Sequence, residues 1–342
     1  MMRTLLALVF ATLSFGVFAQ TRYYDSLFAA VDKTVDIQYG TGLNASNQPV
    51  TLALDVYQPQ GDGSNNRVPI IVAHGGSFLP DQGSKADPYI QDFADDMAKK
   101  GYVVFAINYR LGWQPGPQQE QNTRNILPAA WRGIQDYKTA VRFLRKTIAE
   151  DGNPYRIDGS KIIGCGFGAG AYLPVNMMAF DVPSEISISP ELIQKNVFGQ
   201  PNGTPYIDTT IQNLGGLAYV NGPWSQYSYK IDMIGNFSGA VPTLKIFDTG
   251  TFPNLVSVHS TEDEATPYRT DVVFALGLFP VIEVSGSHDI HEKLENMGQN
   301  QLWKSENRDG YSQVRIAGDT PSDNKYREGL LTFPGEIYMW SG

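Results

Sequence analysis

The stretch from Lys161 to Phe180 constrains the chain more than any other. Lys161–Phe167 is short, apolar and β-type; Ala169–Phe180 reads as a helix; Gly166, Gly168 and Gly170 crowd the junction between them. A strand that turns this sharply into a helix needs small residues two positions either side of the turning residue, because the backbone closes on itself there. Such a strand–turn–helix unit belongs to a parallel sheet with helical crossovers. A dinucleotide-binding loop shares this setting and wants Gly-x-Gly-x-x-Gly. Residues 164–168 give Gly-x-Gly-x-Gly instead, and no acidic residue closes a following strand about 20 residues on.

The flanking sequence extends the same architecture. Thr34–Tyr39 and Thr51–Tyr57 alternate apolar and polar residues, as half-buried antiparallel strands do. Val68–Ala73 and Tyr102–Tyr109 are continuous apolar runs, as buried central strands are. Between them, Ile90, Phe93, Ala94 and Met97 predict a helix over Asp87–Lys100, closed by Gly101. Ile134, Tyr137, Val141, Leu144 and Ile148 predict a second over Leu127–Glu150. Further strands are expected at Lys230–Gly235 and Asn254–Val258, a helix at Ile290–Met297 and a strand at Gln301–Ser305. The fold class is therefore α/β, with a mostly parallel central sheet and helices on both faces. Residues 181–230 lose the pattern and carry five prolines. So long an excursion reads either as a cap over the carboxyl edge of the sheet or as a surface loop without a role.

Residues 1–19 have the form of a signal peptide. Arg3 supplies the charge, Thr4–Phe18 is uncharged and apolar, and Val17 and Ala19 put small residues at −3 and −1 of a cleavage site before Gln20. The run is short for a bilayer span of roughly 20 residues. The mature chain, 20–342, is expected to be exported as a single domain with no membrane span. A lone Cys165 cannot form an internal disulfide. The net charge of −9 argues against a nucleic-acid partner, since phosphate binding calls for excess Lys and Arg. Neither a metal nor an organic cofactor is called for.

Three places could carry chemistry. His74–Phe78 follows a buried strand, and its glycines allow backbone N–H groups of Gly76 and Ser77 to serve an oxyanion, together with that of Ala169. Taken alone, a Gly-Gly turn is usually just a turn. The second is the 166–170 junction. The third is Asp263, which either orients a histidine or caps a helix that follows it.

These segments together resemble the α/β-hydrolase-fold family, in particular the secreted bacterial carboxylesterase and feruloyl-esterase-like branch. The resemblance spans about residues 34–312. It rests on the His74-Gly75-Gly76 turn, Asn108-Tyr109-Arg110, the helical run Asp136–Arg142, Ile157–Ile162, the 166–170 elbow, and His259–Asp263 with Pro267 and Tyr268. It implies a serine nucleophile at the elbow, then an acid, then a histidine base. Here Gly168 stands at the nucleophile position, while Asp263 keeps the acid. Cys165 is no substitute, because its ±2 neighbours Ile163 and Phe167 are too large for an elbow. The base depends on which strand is last. If it is Gln301–Ser305, the following loop holds no histidine and Gly310 stands at the base position. If it is Val281–Ser285, the loop offers His288, with His291 close by.

Two functions follow from this reading. One is a hydrolase without its chemistry that binds a small ester, acyl or aromatic ligand, or a partner. The other is an active carboxylic-ester hydrolase using an unrecognised nucleophile and His288 or His291 as base. The aromatics of 181–230 (Phe198, Tyr206, Tyr219, Trp224, Tyr227, Tyr229) either line a ligand cleft or form the cap's own small core.

Overall fold

The computed structural model describes residues 21–180, 185–186, 189–196, 199–207, 224–248, 250–300 and 330–333. The signal-peptide expectation for 1–19, residues 181–184, 187–188, 197–198 and 208–223 of the 181–230 excursion, Gln301–Ser305 and Gly310 lie outside them. In chain order the strands are β1 (Val31–Leu43), β2 (Pro49–Pro59), β3 (Pro69–Ala73), β4 (Val103–Ile107), β5 (Ile163–Phe167), β6 (Ile193–Lys195), β7 (Pro201–Pro205), β8 (Met233–Phe237), β9 (Asn254–Ser260), β10 (Thr270–Ala275), β11 (Phe279–Ser285) and β12 (Leu330–Phe333). The helices are α1 (Pro88–Lys99), α2 (Gln119–Ala149), α3 (Ala169–Ala179) and α4 (Ser287–Asn296).

Eight strands form one sheet in the order β1-β2-β4-β3-β5-β8-β9-β12. β1–β2 and β2–β4 pair antiparallel, and the remaining pairs are parallel. This is the mostly parallel sheet expected from the alternation of strands and helices. Side chains of β4 divide between its faces: Val103, Phe105 and Ile107 join α2 and α3 in the larger core, while Val104 and Ala106 meet Ile90, Ala94 and Ala98 of α1. That two-sided burial is why these strands read as unbroken apolar runs.

α2 begins at Gln119, eight residues before the expected start, and Pro128 lies inside it. Proline removes one intrahelical donor, but tertiary bonds hold the N-terminal turns. Asn122 Nδ2 donates to Pro280 O at 2.9 Å, and Gly116 N donates to Asn122 Oδ1 at 2.7 Å. Further along the same helix, Asp136 forms a fully buried ion pair with Arg110. The Arg110 amide and guanidinium both donate to the carboxylate, at 2.7 and 2.9 Å, and Arg110 Nη1 donates to Leu43 O at 2.8 Å. Burial pushes the Asp136 carboxyl up against the pull of Arg110. The pair therefore clips the segment after β4, α2 and the end of β1 together.

Two strand expectations change. The strand placed at Lys230–Gly235 is Met233–Phe237, fixed by its register Ile163↔Met233 through Phe167↔Phe237 and by the 4.4 Å stack of those two phenylalanines. Val281–Ser285 is not the last strand of the sheet: as part of β11 it pairs with β10 in a separate two-stranded hairpin. Leu330–Phe333 pairs with Ser257–Ser260 instead. No helix among the described residues is long and apolar enough to cross a membrane.

Candidate functional site

The β5–α3 junction is a strained turn built from small residues. Gly168 has φ 51° and ψ −119°. Side-chain-bearing residues rarely adopt such a backbone. A Cβ on Gly166 would lie 2.1 Å from Gly170 O, and one on Gly170 would lie 2.3 Å from Ala73 O. Both neighbours of the turn must therefore stay glycine, while Gly168 itself carries nothing that can attack a carbonyl. Cys165 is buried in the core, and burial pushes its thiol up to about 12.

Beside this turn, the loop after β3 is held open by aromatic side chains. Tyr109 OH donates to His74 O at 2.9 Å, Trp113 Nε1 donates to Ser77 O at 2.7 Å, and Gly75 N donates to Tyr89 OH at 2.9 Å. Gly76 (φ 104°), Ser77 (φ 51°) and Phe78 (φ 58°) all take left-handed conformations. A Cβ on Gly76 would collide with Gln82 O at 2.0 Å. The N–H groups of Gly76, Ser77 and Ala169 have no acceptor among the described residues. Loop and elbow border the same apolar cavity, about 110 Å³, which Ser77 and Ala169 both line.

Asp263 does not cap a following helix, since a turn and then β10 come next. Its Oδ1 accepts from Ala265 N and Thr266 N, both at 2.9 Å, and Oδ2 lies 3.6 Å from Nε2 of His259. His259 is a residue of β9 with its ring fully buried. Its Nδ1 bonds Ser287 Oγ at 2.7 Å and its Nε2 bonds Thr266 O at 3.0 Å. Asn236 Nδ2 donates to Ser287 Oγ and Ser257 Oγ. The Ser287 hydroxyl can then donate to Nδ1, which puts the ring proton on Nε2. Burial holds His259 below its usual value, against the pull of Asp263. It is a neutral structural ring.

The other histidines are also committed. His74 Nδ1 bonds Gly75 O at 2.8 Å, the ring stacks on Tyr109, and burial lowers it to about 4. His288 Nδ1 bonds Asp289 Oδ1 at 2.7 Å, and Arg269 lies 3.3 Å away. His291 Nε2 bonds Ser257 Oγ at 2.9 Å, inside the same network that holds His259. His288 and His291 sit on α4, downstream of a hairpin and not on a loop after the last sheet strand, which removes the topological reason for expecting a base there. Gly310, the other expected base position, lies outside the described residues.

His288, Asp289 and Glu292 bring ligand-type atoms within 4.8 Å of one another. Asp289 already accepts from Thr270 N and Oγ1, and the Arg269 cation stands beside His288 where an ion's charge would be. Burial pushes the Asp289 carboxyl up, but the bonds to His288 and Thr270 hold it below its usual value.

The described aromatics of the irregular region do not line the cavity by the elbow. Trp224 Nε1 donates to Tyr39 O at 3.0 Å, Tyr227 OH to Glu150 at 2.6 Å, and Tyr229 lies under Lys138 and Arg142. They cover the C-terminal half of α2, where its cations supply ring contacts. Tyr206 bonds Glu120, and Phe198 and Tyr219 lie outside the described residues. Among the described residues, Leu192 and Ile207 are what this region contributes to the cavity. The main wall missed from sequence is the β10–β11 hairpin: Val273–Ala275, Val281, Ile282 and Val284 face the cavity, and Leu276 N reaches Ser77 Oγ at 3.4 Å. The alternation of Thr270–Ala275 with Phe279–Ser285 was the available signal.

Residues 54–195 match the model of the BD-FAE family, an α/β-hydrolase esterase family. The match takes in the Gly76–Ser77 loop and the elbow and ends before Asp263. No curated protein matches significantly. Among solved structures, esterase 2 of Thermogutta terrifontis is similar at 17% identity, over 89% of this chain and 81% of that one, with a TM-score of 0.44. A bifunctional GH43-CE protein of Bacteroides eggerthii is similar at 17% identity, over 78% of this chain and 31% of that one, with a TM-score of 0.46. The fold is the α/β-hydrolase fold, and the matched segment is esterase-like.

Proposed function

We propose that this chain is an exported α/β-hydrolase-fold protein that binds a small ligand at its former catalytic cleft and does not hydrolyse it. The observation that carries the reading is Gly168 at the φ 51°, ψ −119° turn: the elbow backbone is kept and the attacking atom is missing. The four buried histidines support it, each already bonded within the fold. None of these bonds is made to a group at the elbow. The N–H groups of Gly76, Ser77 and Ala169, without an acceptor among the described residues, favour an ester or acyl carbonyl at the cleft, where such donors stabilise partial negative charge. Export rests on the composition of residues 1–19, and a mature N-terminus at Gln20 on secreted material is its test.

The direct test is incubation of the purified chain with a serine-directed aryl phosphonate, followed by intact mass measurement and by 4-nitrophenyl butyrate hydrolysis. The expected result is no adduct and hydrolysis at the buffer rate. A single stoichiometric adduct that abolishes turnover would overturn the reading.

A further inference from the structure

We infer that the tip of the β10–β11 hairpin inserts into a lipid surface. From Val272 to Ile282 the chain runs eleven residues without a charged or polar side chain. A hairpin with one face on a core and the other in water alternates apolar and polar residues, and this one does not. Its base is tied down. Asn122 Nδ2 donates to Pro280 O at 2.9 Å, and Val241 and Ser285 exchange backbone bonds at 3.0 and 2.8 Å. Its tip stands out. Five large hydrophobic side chains are exposed among the described residues, and three of them fall within five positions at the turn: Phe274 at 37%, Leu276 at 49% and Leu278 at 72%. Exposed apolar side chains scattered singly need no explanation, whereas a contiguous patch does.

The turn carries a residue that a purely structural role would not choose. Leu276 (φ 54°) and Gly277 (φ 67°) both take left-handed conformations. Asn, Asp or Gly fills such a position at low cost and keeps the tip polar; a bulky apolar side chain does neither. Leu276 is therefore held in a disfavoured backbone and exposed to water as well. A local choice against both propensity and solubility points to a use outside the fold. The tip also adjoins the cleft. Phe274 lines the cavity while remaining exposed, and Leu276 N donates to Ser77 Oγ at 3.4 Å, so apolar surface runs on from the cavity to the tip.

Area and chemistry select the occupant. With roughly 200 Å² in a whole side chain of this size, the three expose on the order of 300 Å². A specific dimer buries about 800 Å² on each partner, and a protein interface carries about one hydrogen bond per 100–200 Å². The tip offers less than half that area and no side-chain hydrogen-bonding group. Both facts argue against a second copy and against a protein groove. A lipid surface needs neither, since it takes up apolar side chains in proportion to their area and without shape complementarity. Charge enters only at the base of the hairpin, where Asp271 lies opposite Val284 and Glu283 opposite Val272. Both are acidic, in a chain of net charge −9, so a zwitterionic surface suits them better than an anionic one.

The test mixes the full mature chain with sucrose-loaded phosphatidylcholine vesicles and measures the fraction that sediments with them. Half of the parent is expected to be bound below about 5 mM lipid; a single myristoyl chain reaches that point at roughly 0.1 mM. In Leu276→Asn with Leu278→Asn, binding should fall at least about tenfold. Tm should stay level or rise in that variant, because asparagine suits the left-handed position at 276. Val35→Asn, at an exposed apolar site on β1, should bind as the parent does. Adding phosphatidylglycerol should weaken binding. Brominated phosphatidylcholine should quench Leu278→Trp fluorescence beyond the quenching seen in the parent. A parent that stays in the supernatant at about 5 mM lipid would overturn the inference. Binding that the double variant retains, or that Val35→Asn loses equally, would overturn it too. A parent that is dimeric by analytical ultracentrifugation, with the double variant monomeric, would assign the tip to a second copy instead. If the double variant fails to fold, brominated-lipid quenching of Leu278→Trp decides alone.

Discussion

Gly168→Ser returns an oxygen to the elbow, and its two consequences pull apart. The backbone at φ 51°, ψ −119° is sparsely populated by residues with a Cβ. Holding serine there costs on the order of 1–3 kcal/mol. Replacing glycine also narrows the unfolded ensemble, which offsets about 0.4–1 kcal/mol. The net loss is about 1–2 kcal/mol, which for a chain of this length lowers Tm by a few degrees. Activity should not return with the oxygen. The new hydroxyl is not met by a histidine, since His74, His259, His288 and His291 pair with Gly75, Ser287, Asp289 and Ser257 and none of these bonds is made at the elbow. Triad groups act as a unit, so a lone serine is expected to raise 4-nitrophenyl butyrate hydrolysis by no more than about threefold. The assay is initial rates on parent and variant, with and without phosphonate, alongside thermal melts by circular dichroism. Strong phosphonate-sensitive turnover by Gly168→Ser would refute the reasoning by showing that a base is in place. An unchanged or raised Tm would refute the account of strain at the turn.

Gly170→Ala should be more damaging than Gly168→Ser, because its Cβ meets Ala73 O, a backbone atom that cannot step aside. The gap expected between the two variants in denaturant melts is about 2 kcal/mol. Asp136→Asn strands the buried Arg110 guanidinium. It should cost about 3–5 kcal/mol, measured by urea unfolding. Stability should fall on acidification below about pH 6.5. His74, lowered to about 4, and His259, also lowered, bind protons less readily folded than unfolded. Their unfolded forms therefore take up protons first, and acid favours unfolding. His74 alone accounts for roughly 3 kcal/mol lost between its ordinary value and its folded one. His74→Gln should flatten that slope in melts run across the range. If Gly310 stands at the base position, Gly168→Ser with Gly310→His should exceed the product of the single variants in ester hydrolysis, and additive behaviour would speak against that placement.

The sheet was legible because its central strands are buried on both faces. Val68–Ala73 and Tyr102–Tyr109 announce themselves by unbroken hydrophobicity, and β3 and β4 lie within them. The elbow was legible because its geometry tolerates so few residues at 166 and 170. What sequence hid was set by partners far along the chain. The start of α2 at Gln119 depends on side-chain bonds to residues 280 and 281, which no local pattern encodes. The strand at Val281–Ser285 was visible, but not its assignment to a hairpin, because β propensity carries no address. Asp263 was found from its motif, while the ring facing it, His259, looked like part of the motif and proved to be a core residue.

The pairing of β12 with β9 also sets an order of events in time. Leu331 lies opposite Val258, so about seventy residues of chain separate the two partners. β3, β4 and β5 instead assemble through single helical crossovers. The entropy of closing the longer loop must be met before the edge strand gains any bond, so β12 joins after the central strands have formed. Among the described strands it is also held from one side only. Its amides should exchange with solvent far sooner than those of β3 or β5, and through openings that leave the elbow intact. The site and the sheet's far edge therefore run on separate clocks.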